Sequence, residues 1–90
     1  MAITRKLKIM NRLGLHLRAA AEFVKTCSRF KCRVLVRNSR GEVNGKSILN
    51  LMTLAAAYGS ELTLVFEGEE ARAAMKAIQS LFYNKFGEKE

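Results

Sequence analysis

The chain has no proline, a single histidine, two cysteines and no run of 18 apolar residues. Without proline, the breaks between elements fall to six glycines. Without a long apolar run, no segment spans a bilayer as a helix. The first 15 residues alternate charged with apolar groups, which is not a secretory leader, and a cytoplasmic protein is expected. Cys27 and Cys32 have the spacing of neither a redox C-x-x-C pair nor a zinc site, and one histidine cannot complete a metal centre. Both thiols are read as small hydrophobes, and neither metal nor cofactor is expected. Acidic residues are scarce at one end. The first 40 residues carry 11 Lys and Arg against Glu22 alone, whereas the remaining 50 carry five against seven glutamates. The net charge of +8 fits an anionic partner such as nucleic acid, a phosphate ligand, a lipid surface or an acidic protein. It equally fits a surface tuned for solubility.

What is present suffices for one domain, residues 1–90. Hydrophobic residues make up 49% and charged residues 27%, a globular balance. Area scaling gives a chain of this mass about 5,300 Å² of folded surface, with roughly 64% of the unfolded surface buried. Neither disulfide nor metal is then needed to hold a core.

The hydrophobic period switches along the chain. Residues 3–9 alternate, with Ile3, Leu7 and Ile9 set against Thr4, Lys6 and Lys8. Residues 17–28 place Leu17, Ala20, Ala21, Val24 and Cys27 on one helical stripe. Residues 32–37 alternate again, Asn38 to Gly41 is turn chemistry, and Glu42-Val43 begins a returning strand. Ser47 is a suitable N-cap for an apolar run that reaches Tyr58-Gly59. Residues 62–67 form a strand with Leu62, Leu64 and Phe66 inward, and residues 70–85 a helix with Ala71, Ala74, Met75, Ile78, Leu81 and Phe82 on one face. The order β-α-β-β-α-β-α predicts an α+β two-layer sandwich, one sheet face covered by helices and the other wet.

Three features carry chemistry. His16, in Gly14-Leu15-His16-Leu17-Arg18, stands where a loop gives way to the first helix. Helix-start N–H groups lack internal partners and lie at the positive end of the dipole, which suits a phosphate. Arg18 adds a charge-assisted donor, Gly14 allows a sharp turn, and Leu15 reads as core. No carboxylate is near in sequence to orient the ring as in a Ser-His-Asp triad; a distant one stays open. The second feature is the excess of apolar residues after Ser47. With Leu51, Leu54 and Ala55 as the core stripe, Ile48, Leu49 and Met52 are surplus and make a partner surface. The third is Ser47 itself, on local grounds a helix cap.

These residues resemble a family. Gly14-Leu15-His16-Leu17-Arg18-Ala19-Ala20 is similar to the phosphohistidine motif of HPr, the histidine-containing phosphocarrier of the bacterial phosphotransferase system. Val43-Asn44-Gly45-Lys46-Ser47-Ile48-Leu49 resembles its regulatory-serine segment, and the resemblance covers essentially the whole chain. It implies an open-faced sandwich with a four-stranded antiparallel sheet, order 1-4-2-3, under three helices. It implies a carrier rather than an enzyme. His16 would take a phosphoryl group at Nδ1 from enzyme I, itself charged by phosphoenolpyruvate, and pass it to an enzyme IIA-type acceptor. The N–H groups of Leu17 and Arg18 and the Arg18 guanidinium would hold the phosphate. Ile48, Leu49 and Met52 would fall where partners dock, and Ser47 at the site used by HPr kinase. A monomer without nucleic acid or membrane insertion is expected.

Two departures stand out. The family usually has proline at Ala19, and is usually closer to neutral. The first bears on the geometry of the phosphohistidine loop; the second suggests an alternative, a regulatory phosphoprotein of a nitrogen-related or transporter-less branch. A basic nucleic-acid-binding domain is the reading from another class. It calls for stacking aromatics on the open sheet face, where the strands instead offer Arg33, Leu35, Arg37, Thr63 and Val65.

Overall fold

The alternating segments form one antiparallel sheet in a computed structural model that describes residues 2–90. Its strands are β1 (Ala2–Lys8), β2 (Arg33–Asn38), β3 (Gly41–Asn44) and β4 (Glu61–Glu67), in the spatial order β1-β4-β2-β3. Helices α1 (Leu17–Cys27), α2 (Ile48–Met52) and α3 (Ala71–Tyr83) and a 3-10 turn at Lys85–Gly87 complete the expected order. Period-two alternation decides which face is covered. Val34 and Val36 pair with Phe66 and Leu64 across β2 and β4, and all four are fully buried with Leu62. Each such side chain contributes about 1.5–3 kcal/mol on burial. The other face keeps Lys6, Lys8, Arg33, Arg37 and Glu61 in water. The accessible surface is 5299 Å², as the area scaling requires. Among the described residues, no helix is long and apolar enough to cross a membrane.

The helices correct two details. The face of α1 turned to the core is Ala19, Ala20, Phe23 and Cys27, whereas Leu17 is 63% exposed. The expected stripe counted Leu17 as core because it lies three residues before Ala20. The aromatic bulk of Phe23 sets the angle, its ring edge-on to Phe82 at 6.2 Å. The second helix is also shorter than its apolar run. It stops at the Thr53 C-cap, and Ala55 takes a left-handed backbone (φ 47). That reversal turns Ala56 into the core and Ala55 out, while Leu51 and Leu54 stay buried as expected.

Candidate functional site

The loop after β1 delivers His16 to the start of α1. Asn11 to Gly14 is a turn, closed by the Gly14 N–H donating to Asn11 O at 3.1 Å. Gly14 has φ +70, and a Cβ there would lie 2.7 Å from Ala56 O, so only glycine fits. The close approach lets the Leu15 N–H donate to Ala56 O at 2.9 Å, with the Leu15 side chain buried in the core. His16 follows as the N-cap, its backbone extended and its side chain making no cap hydrogen bond. The first intrahelical bond runs from the Ala20 N–H to His16 O at 2.8 Å. The N–H groups of Leu17, Arg18 and Ala19 therefore have no acceptor within the helix. They lie at its positive end, a setting that favours an anion.

The carboxylate missing from the local sequence comes from the far end of the chain. Glu88 Oε2 sits 2.5 Å from His16 Nε2 and accepts from Arg18 Nη1 at 3.2 Å. Its other oxygen accepts from Asn11 Nδ2 at 2.9 Å, and the same Nδ2 donates to Gly14 O at 2.8 Å. The Asn11 side chain is fully buried. Burial pushes the Glu88 carboxyl up, but hydrogen bonds from Asn11 and His16 and the charges of His16 and Arg18 outweigh it. The net effect holds the carboxyl below its ordinary range, so the contact persists at neutral pH and is lost only as pH falls through that lowered value. An ionised carboxylate only accepts, so the facing nitrogen carries the hydrogen: Nε2 is N–H in either form of the ring, and whenever the ring is neutral its lone pair lies on Nδ1.

The tail reaches this position by a left-handed turn. Lys85, Phe86 and Gly87 have φ of 56, 56 and 81 in succession. Left-handed backbone costs a non-glycine residue about 1–2 kcal/mol. Burial of Phe86, its ring 5.0 Å from that of Phe82, offsets this. The Arg12 N–H then donates to Glu90 O at 2.6 Å. Arg12, Lys85 and Lys89 line an open polar depression there with Met10, Tyr58 and Glu90.

The family model for the "PTS HPr component phosphorylation site" matches residues 3–84. The chain belongs to the HPr family. It is 43% identical over 86 residues to the phosphocarrier protein HPr of Treponema pallidum, covering 96% of this chain and 98% of that protein. Against the Pseudomonas aeruginosa HPr the identity is 46% over 86 residues, with 94% and 96% covered. An HPr crystal structure from Thermoanaerobacter tengcongensis superposes with a TM-score of 0.93 at 38% identity, covering 98% of this chain and 99% of that one. The chain is thus a phosphocarrier protein of the phosphotransferase system, a carrier rather than a catalyst.

HPr-type carriers exchange phosphoryl groups with other proteins of their system, which makes the surface around the helix start relevant. Helix α2 packs against α1. On it Leu49 is 81% and Met52 38% exposed, while Ile48 is half-buried against the core. The expected apolar surface is therefore narrower on α2; Leu13, Leu17, Met10 and Tyr58 are exposed elsewhere on the molecule. Ser47 is the N-cap of α2, its Oγ accepting from the Asn50 N–H at 3.2 Å. Asn11 and Glu88 were missed from sequence. Glu88 is 72 residues from His16, and the only local signal for its return was Gly87.

Proposed function

We propose that the chain acts as a single cytoplasmic carrier domain, residues 1–90, whose phosphoryl acceptor is Nδ1 of His16. Enzyme I charged by phosphoenolpyruvate is the donor, and an enzyme IIA-type protein the acceptor. The observation that carries this reading is the orientation of His16. Nε2 is engaged by Glu88, so the free lone pair of the neutral ring is on Nδ1, and the residue stands at the N-cap of a helix whose first N–H groups have no intrahelical acceptor. Attack by Nδ1 on phosphorus would place the phosphoryl oxygens where the Leu17 and Arg18 N–H groups can donate and the Arg18 guanidinium can pair. Docking falls to Ile48, Leu49 and Met52, with the exposed Leu17 beside the histidine. Ser47 is the regulatory position for an HPr kinase. A phosphate at that cap is compatible with the helix and sets its charge next to Leu49 and Met52. The protein works as a monomer.

The experiment is incubation with phosphoenolpyruvate and enzyme I. The expected product carries one acid-labile, base-stable phosphate, lost in His16→Ala. Persistence of the label in that variant contradicts the assignment.

A further inference from the structure

We infer that Glu88 decides which nitrogen of His16 takes the phosphoryl group, by engaging Nε2 and leaving Nδ1 as the nucleophile. This rests on His16 being the acceptor, as proposed above. A neutral imidazole has one lone pair and two nitrogens that can hold it, and its neighbours choose between them. Here the choice is built into the loop that carries the histidine. Asn11, five residues before His16, holds one oxygen of Glu88 and turns the other toward Nε2. The Asn11 amide cannot flip, because Nδ2 serves two acceptors, Gly14 O and Glu88 Oε1. A flip would set Oδ1 against both. Asn11 Oδ1 is itself buried without a partner, so the amide is held by its donor side alone. The ring and its carboxylate thus share one frame.

The phosphoryl step needs no proton movement at His16. The Nδ1 lone pair forms the N–P bond, the bond from phosphorus to the donor breaks, and its electron pair leaves with the donor group. The ring becomes cationic with Nε2–H retained, and Glu88 faces the new charge. Arg18 shares Glu88 Oε2 through one nitrogen. It can turn to the phosphate while Asn11 keeps the carboxylate in place. Onward transfer returns the pair to Nδ1. Glu88 is therefore a positioning residue that acts through His16.

Phosphoramidate tests this without any partner surface, since it gives up its phosphoryl group with loss of ammonia. The wild-type protein is expected to yield only Nδ1-phosphohistidine, read by 15N–31P correlation NMR. Glu88→Ala opens Nε2 and is expected to yield both isomers. Glu88→Gln loses the charge facing the ring, and its labelling at Nδ1 should slow by about 10- to 100-fold, the value of one charge-assisted hydrogen bond. Glu90→Gln serves as the tail control and should match wild type. A lower melting temperature with an unchanged isomer ratio would mean that Glu88 is only a clasp for the tail, and would overturn the inference. So would Glu88→Ala giving Nδ1 product alone at the wild-type rate. Wild-type protein that takes no label on His16 would overturn the acceptor assignment as well, which separates the two failures.

Discussion

Asn11→Asp replaces one atom, turning the buried Nδ2 donor into an acceptor. That atom now donates at 2.8 Å to Gly14 O and at 2.9 Å to Glu88 Oε1. An ionised carboxyl there would face the Glu88 charge at a separation worth several kcal/mol even at an effective dielectric of about 20. The new carboxyl therefore stays protonated in the folded protein, with its pKa raised above the unfolded value near 3.9. The sign follows from proton binding. Below about pH 4 the group is neutral in both states, its O–H restores one of the two bonds, and the loss is about 1 kcal/mol. Above that the unfolded chain ionises and the native chain does not, so stability falls by about 1.4 kcal/mol per pH unit, toward about 4 kcal/mol at pH 7. Release of the tail sets a ceiling, because it relieves the repulsion for the loss of charge-assisted bonds worth about 1.5–3 kcal/mol each. Urea denaturation of both proteins between pH 4.5 and 8 measures the difference. A gap that widens with pH and then levels off is expected. A pH-independent gap, or a variant as stable as wild type at pH 7, would refute the Asn11–Glu88 clasp.

Three further outcomes follow from the geometry. Ser47→Asp keeps an oxygen to accept from the Asn50 N–H and should melt within a degree or two of wild type, since Asp caps as well as Ser. Phosphoryl transfer should nonetheless slow through charge placed beside Leu49 and Met52, and an early-melting variant with unchanged kinetics would make Ser47 a structural cap only. Ala19→Pro falls in the first turn of α1, where the crowded carbonyl would be that of Leu15, outside the helix. Its denaturation midpoint should rise by the equivalent of about 0.4–1 kcal/mol, whereas a fall with faster phosphohistidine hydrolysis would show that the Ala19 N–H is engaged. Burial and the neighbouring Cys32 push the Cys27 thiol up to about 12. Iodoacetamide at pH 8 should therefore modify half-exposed Cys32 first and Cys27 only in denaturant, and equal rates would contradict the packing.

The parts legible in the sequence are those set by local periodicity and local capping. β4 shows its Leu62, Leu64 and Phe66 row directly. α3 shows Ala71, Ala74, Met75, Ile78 and Phe82 as one face. Ser47 announces the cap of α2. The errors arise where a tertiary contact outweighs the local pattern. Phe23 turns α1 so that Leu17 faces solvent, and α2 stops at the Thr53 C-cap, with Ala55 left-handed beyond it, although the apolar residues continue to Tyr58. His16, Leu17 and Arg18 were visible because they form one segment and the fold keeps them at the helix start. The other half of the site joins Asn11 to Glu88 through a left-handed turn at two residues, Lys85 and Phe86, that have no intrinsic preference for it. No spacing rule reaches across that distance, so the carboxylate beside the histidine appeared only with the fold.

As a carrier, His16 is expected to hold a phosphoryl group in transferable form. Labelling the chain through enzyme I with 32P-phosphoenolpyruvate, isolating it, and then adding an enzyme IIA acceptor tests it directly. The label should lie on His16 and leave for the acceptor, returning the carrier unmodified. Label that stays on the chain after acceptor is added, or that is acid-stable and sits on Ser47, would contradict it.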